Sequence, residues 1–274
     1  HDGSNSYVED AGTGTLNIQS NGTQINLQKT DGTKMIEAIN NGNVVLYSNG
    51  VARIRTNGTG VDVTGTVTAD GLTVDGGGTN FPITVTSTDQ YAGITFVDNT
   101  TTSSAVVAIY ADGDELGLEA GNAERLRIDS SGRVTMPYQP AFRATGDNVS
   151  QSLTASTSTK VSFDVVETNI GSCFNTTNSR FTAPVAGFYQ FNSSLLISQA
   201  GSDRMDLMFY KNGSVWVTTE FKDTGSSSTN ASVSNGMSGY LSANDYVEAW
   251  VRIDASGSIY AESKFWNFSG HLVG

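Results

Sequence analysis

FTAPVAGFYQF, residues 181–191, is the stretch that decides the fold. A Pro and a Gly lead into an alternation that sends Tyr189 and Phe191 to one side of a strand and Phe188 and Gln190 to the other. Gly187 is read as the residue that allows the turn. In a lone sandwich one of those sides is wet, and a bare Phe188 there would be a liability. Phe181, Gly187, Tyr189 and Phe191 are therefore expected in a core, and Phe188 against a second surface.

The chain around this strand is polar and full of turns. Its 274 residues suggest about two domains. Hydrophobic residues make up 37% and charged ones only 15%, too little charge for a disordered polyelectrolyte. The net charge of −12, with no concentration of Lys or Arg, speaks against a nucleic-acid partner. Cys173 is the sole cysteine, so an intrachain disulfide and a paired-cysteine metal or redox site are excluded. It is expected as a small buried hydrophobe on a strand. No stretch approaches the ~18 continuous apolar residues of a membrane-spanning helix, so membrane insertion is not expected. No signal peptide is read, and the start at His1 fits a mature product or the visible part of a longer protein with an anchoring region before it.

Helical periodicity is absent, and short alternating runs dominate: Thr15–Gln19, Gln24–Leu27, Val44–Tyr47 and Thr66–Thr68. Asn21-Gly22, Asp31-Gly32, Asn49-Gly50 and Asn57-Gly58 separate them, dipeptides that supply the positive φ of tight hairpins. The chain reads as all-β. VLYSNGVARIRTNGTG (45–60) matches GLEAGNAERLRIDSSG (117–132) at a spacing of 72, pairing Arg53 with Arg125 and Arg55 with Arg127. MIEAINNGN (35–43) resembles VVAIYADGD (106–114), shifted by one. The first half is thus two copies of a small β-module, each with few apolar residues on one face of its strands. Such units find a core by stacking or by association with other chains. Pro137 and Pro140 interrupt sheet pairing and close the second copy. Strands are then expected at 140–145, 159–166, 174–182, 187–198, 203–211, 214–222, 231–241, 245–254 and 258–273, with Lys211-Asn212-Gly213 as a hairpin. So many antiparallel strands in one half-chain suit a two-sheet jelly roll. The expected domains are 1–80 and 81–137, two β-rich stalk modules, and 138–274, a jelly-roll head.

Two family resemblances follow from these motifs. RLRIDSSGRV (125–134) resembles a recurring segment of bacteriophage tail-fibre and related virion fibre proteins, and SYVEDAGTGTLNIQSNG (6–22) resembles stretches of phage structural proteins. FTAPVAGFYQF is similar to the signature of the complement component one-q globular head, a branch of the tumour necrosis factor-like jelly rolls. Phe181, Pro184, Gly187, Tyr189 and Phe191 occupy its pattern. MFYKNGSVW (208–216), the strand over 245–251 and FWNFSGHLVG (265–274) follow in the family's order, with His271 where an apolar residue is usual. This second resemblance implies a homotrimer in which the Phe188 side packs near a threefold axis.

Chemistry is sparse. Of two histidines, His1 is terminal, so any triad would have to use His271, and no nucleophile elbow is present. Asp112, Asp114 and Glu115 are the candidates for a glycosidase acid pair or a structural calcium, but DGDE also reads as a solvated turn. No cofactor is expected. Arg125 and Arg127 share one side of a strand and suit inter-chain ion pairing with acids such as Glu124 or Asp129. Strand parity places three turns at the end of the head away from the stalk. They carry Gln199, Asp203 and Arg204, then Lys222, Asp223 and the Ser-rich 225–229, then Asp254, the candidate receptor-binding residues. The expected protein is a homotrimeric, non-enzymatic phage virion fibre, at the tail or tail tip, whose head adheres to a host-surface glycan or protein. Other virion tail or baseplate proteins would hold a region near or before the N-terminus. A head fibre or capsid decoration protein and a polysaccharide-degrading spike remain as alternatives.

Overall fold

The computed structural model describes residues 5–75, 77–78, 83–102, 107–199, 204–222 and 229–274. The chain divides into two compact units, His1–Thr84 and Val85–Gly274.

The first unit holds an antiparallel meander of β1 (Gln24–Gln28), β2 (Lys34–Ile39), β3 (Val44–Ser48), β4 (Val51–Asn57) and β5 (Gly60–Val63). Asn49 and Gly50 both take positive φ, the two-residue turn expected between β3 and β4. At Asn57-Gly58 the turn works differently. The Asn57 side chain accepts the Thr59 and Gly60 N–H groups at 2.8 and 2.7 Å. The runs expected at 15–19 and 66–68 are not strands, since alternation makes a strand only where a neighbour takes its backbone groups. Cross-strand register aligns Leu27, Ile36, Leu46, Ile54 and Val63 in one row. A second row on the same face holds Ile25, Ala38, Val44, Thr56 and Val61. No charged residue stands in either row. The opposite face is closed over by polar side chains: Glu37, 6% exposed, accepts the Tyr47 hydroxyl at 2.7 Å and pairs with Lys34, beside a buried Val45.

The second unit opens with an equivalent meander, β6 (Tyr91–Thr95), β7 (Val107–Asp112), β8 (Glu115–Ala120), β9 (Glu124–Ile128) and β10 (Val134–Thr135). Its uncharged rows are Ile94, Ile109, Leu118 and Leu126, and Ala92, Ala111, Leu116, Ile128 and Val134. Leu46 and Leu118, like Ile54 and Leu126, are 72 residues apart and occupy equivalent row positions, so the sequence repeat is a repeat of structure. On the other face the Tyr110 ring lies across Gly117, where a Cβ would come within 2.3 Å of it, and donates its hydroxyl to Glu124 at 2.8 Å.

The head follows directly after the two prolines. One sheet contains β14 (Val165–Ile170), β11 (Ala141–Thr145), β23 (Trp266–Leu272), β17 (Gly187–Gln199) and β20 (Thr229–Leu241), extended by β12 (Gln151–Leu153) and β22 (Gly257–Ile259). The other contains β15 (Phe174–Asn175), β16 (Arg180–Thr182), β21 (Tyr246–Ile253), β18 (Arg204–Lys211) and β19 (Ser214–Lys222), with β13 (Thr159–Lys160) beside β21. The chain passes between sheets after β17, β19, β20 and β21, the path of a jelly roll. The strand expected at 258–273 is two, β22 and β23, separated by a short 3-10 turn at Ser263–Phe265.

Both sheets turn aromatic side chains inward. Tyr189, Phe191 and Phe181 are fully buried with Phe142, Phe209 and Phe268. Phe181 meets Phe191 edge-to-face at 5.1 Å, and Phe142 stacks on Phe181 at 5.2 Å, contacts that add to simple burial. Cys173 is buried, as expected, but just ahead of β15 rather than on a strand. Gly187 is a correction. Its φ is not positive, so it does not serve the turn. A Cβ there would lie 2.5 Å from Leu272 Cδ1, so it is Gly because the last strand packs against it.

Candidate functional site

Strand directions fix which turns meet. β11 and β17 both run antiparallel to β23, so the chain enters the head at the end where β17 begins. At β17's far end Gln199 pairs with Thr229 of β20 and Gly257 of β22. Arg204 pairs with Lys222, and Met205 with Ile253. The ends of β17, β19 and β21 and the start of β18 therefore meet at the end opposite Ala141. The structure brings Arg204, Lys222 and Asp254 together there. Gln199 marks the end of its strand, and Asp203 and Asp223 lie outside the described residues.

A charge ladder supports this end. Asp206 is 3% exposed and accepts Arg204 Nε at 2.8 Å. Arg252 reaches Asp206 at 3.5 Å and Asp254 at 3.1 Å, while Arg204 also meets Glu220 at 3.3 Å. Asp206 and Glu220 thus hold Arg204 in place, and Arg252 bridges Asp206 and Asp254. Lys222, beside Arg204 in register, is exposed and unpartnered among the described residues. Asp206, Glu220 and Arg252 were not expected; the alternation Arg204-x-Asp206 beside Arg252-x-Asp254 was their signal.

Toward the opposite end of the same sheet, Glu248 is 3% exposed. It accepts Arg180 at 2.8 and 3.0 Å and the Trp250 indole at 3.0 Å, with Lys160 at 3.4 Å. Burial pushes its carboxyl up, but Arg180, Trp250 and Lys160 outweigh it and hold the group below its ordinary range. Arg180 also lies 3.6 Å above the Tyr246 ring, and Tyr210 stacks on Trp250 at 4.6 Å. Asp245, bonded by Asn212, Lys211 and the Ser242 N–H, is pulled down to about 2.

The remaining candidates sit apart. Phe188 is 47% exposed and pairs with Tyr240, itself exposed, on the outer face of the first sheet. His271 is exposed on β23. Asp112 and Glu115 close the β7–β8 hairpin, and both lie on Arg127, at 3.4 Å for Asp112. Arg127 also takes Glu124 at 2.8 Å. The ion pairs expected between chains thus form within one: Arg127 is spent on three local acids, Asp129 pairs with Arg133 at 2.7 Å, and Arg125 donates to the Ala120 carbonyl. Among the described residues no group of three His, Cys, Asp or Glu side chains could hold a metal.

Residues 141–273 match the family described as the C1q domain. The C-terminal half is a C1q/TNF-like domain. Complement C1q tumor necrosis factor-related protein 3 of Mus musculus is 30% identical over 112 residues, which is 40% of this chain and 43% of that protein. The chain therefore spans less than half the length of that curated relative. Among solved structures, the globular domain of zebrafish complement 1qA protein is 20% identical, covering 50% of this chain and 98% of its own at a TM-score of 0.36. Murine APRIL is 11% identical, covering 49% and 99% at a TM-score of 0.39. The C1q-type strands are those that assemble the Arg204, Lys222 and Asp254 end.

Proposed function

We propose that this protein is a non-enzymatic, homotrimeric adhesion fibre, with residues 1–80 and 81–137 as stalk modules and 138–274 as a ligand-binding head. The observation that carries this is the uncharged face of each module. A sheet with an aliphatic face needs another layer to take that face out of water. Each module closes its polar face with a Glu–Tyr hydrogen bond and leaves the aliphatic rows in water. A face without charge is complementary to itself, and the other copies of the chain, gathered by the head, are its covering. The exposed Phe188–Tyr240 pair gives the head a comparable bare surface.

The finer assignment is a bacteriophage tail fibre or tail tip on the released virion, held to other virion proteins through its N-terminal region. Its support is the likeness of RLRIDSSGRV to virion fibre segments. The head would contact a host-surface glycan or protein through Arg204, Lys222 and Asp254, three weak sites per fibre acting together. Two measurements test it. Sedimentation should give a particle of about three times the 28.9 kDa chain; a monomer sinks the fibre. Labelled protein should bind bacterial cells strain-selectively, and a combined Arg204→Ala, Lys222→Ala, Asp254→Ala variant should lose that binding while remaining trimeric. Binding unchanged by the triple substitution moves the site off the far end.

A further inference from the structure

A second site lies on the Glu–Tyr face of the second module. A trough of about 270 Å³ opens between β6 and β7, lined by Tyr91, Gly93, Thr95, Ala108, Tyr110 and Glu119 among others. Gly93 makes the space: a Cβ there would sit 2.7 Å from Tyr110 Cβ and from the Ile109 carbonyl. The two tyrosine rings meet edge-to-face at 5.1 Å, and the Tyr110 hydroxyl is pinned by Glu124. This wall is rigid and aromatic.

The charges around it do not balance. Glu119 stands directly across the β8–β9 pair from Glu124, and like charges in that position repel. Glu124 has Arg127, but Arg127 also serves Asp112 and Glu115. Arg125, the other nearby cation, is turned to the Ala120 carbonyl and lies 4.5 Å from the Tyr138 ring. The Glu119 carboxylate has no hydrogen bond or ion pair among the described residues, although the residue is half-buried at the trough. An anion is excluded from such a place. A hydrated divalent metal is poorly served by rings and methyl groups, whereas an organic cation is drawn both to aromatic faces and to a free carboxylate.

We propose that the Tyr91–Tyr110–Glu119 trough binds an organic ammonium group, such as a quaternary ammonium headgroup or a lysine side chain. The site is independent of the head and of the fibre assignment. Its Tyr91, Tyr110 and Glu119 side chains lie on the face opposite the aliphatic rows, while Ile94 of one row also lines it.

The test titrates the full chain with choline and, separately, with Nα-acetyl-lysine amide, read by calorimetry and by saturation transfer to the probe's methyl or methylene protons. At least one probe should bind in the millimolar range and weaken with added salt. Glu119→Gln, which removes the repulsion and so keeps the fold, should weaken binding about fivefold or more, and Tyr91→Ala by a similar factor. Three results overturn the proposal: neither probe binds, Glu119→Gln binds as the parent does, or glucose gives the same tyrosine-dependent signal. Calcium binding at the trough with no response to either ammonium probe would overturn it as well.

Discussion

Leu46→Asp is the sharpest perturbation of the stalk. Leu46 is the middle member of the row Leu27, Ile36, Leu46, Ile54 and Val63, whose side chains are 54%, 36%, 38%, 38% and 42% exposed. A fully buried aliphatic side chain contributes about 2 kcal/mol, so covering what remains of this row stabilises the module by roughly 4 kcal/mol per chain. Aspartate forfeits the leucine's share and sets a carboxylate in a dry contact, at a cost of several kcal/mol per chain unless the contact opens. The cost outweighs the gain from the row, so the first module should come apart while the head stays assembled. Hydrogen exchange reads this locally. Amides of β1 to β5 should lose protection in Leu46→Asp, and those of β17 should keep it. Met35→Lys, on the opposite face and 47% exposed, should change neither, as surface substitutions usually stay within about 0.5 kcal/mol. If Leu46→Asp leaves β1–β5 as protected as the parent, the row faces water and the covering by other copies is refuted.

Four further outcomes concern the head. Glu248→Ala strands the Arg180 and Trp250 donors and should cost about 3 kcal/mol, lowering the head's melting temperature by roughly 10 °C in calorimetry. The lowered carboxyls of Glu248 and Asp245 set the sign of the acid response: their stabilisation is whole above the ordinary carboxylate pKa of about 4 and is lost as pH falls through the folded values, near 2 for Asp245. Chemical denaturation at stepped pH should show stability falling below that range, and a head whose stability rises there contradicts the assignment. Burial lifts the Cys173 thiol to about 11, so maleimide should label the native head only at the rate of unfolding and label the denatured chain at once. Gly270→Ala drives a Cβ to 2.5 Å from Phe191 and 2.9 Å from Phe142 and should cost about 1–3 kcal/mol by overpacking, measured by denaturant unfolding.

What could be read from sequence depended on whether the deciding interaction was local. Alternation places Tyr189 and Phe191 in the core whatever their neighbours are, and Asn212-Gly213 specifies its hairpin through two positive φ angles of its own. Strand parity likewise brought Arg204, Lys222 and Asp254 to one end, because direction needs only a strand count. Gly187 was misjudged because its partner, Leu272, is far away in sequence, and a close approach leaves no trace beside the glycine itself. Arg127 was assigned to other chains because only the β7–β8–β9 register shows that Asp112, Glu115 and Glu124 surround it. The same register turns Leu27, Ile36, Leu46, Ile54 and Val63 into one row, where the linear chain shows only scattered aliphatics among glycines and asparagines. Strand alternation specifies two faces; cross-strand register specifies what each face is for. In both modules it gathers the hydrogen-bonded Glu–Tyr pairs on one side and charge-free aliphatic rows on the other, and two copies 72 residues apart repeat that division with the Glu and Tyr drawn from different strands. A division kept while its residues change places is the mark of a requirement on the face itself, and a bare aliphatic face is a requirement that only another layer of protein can meet.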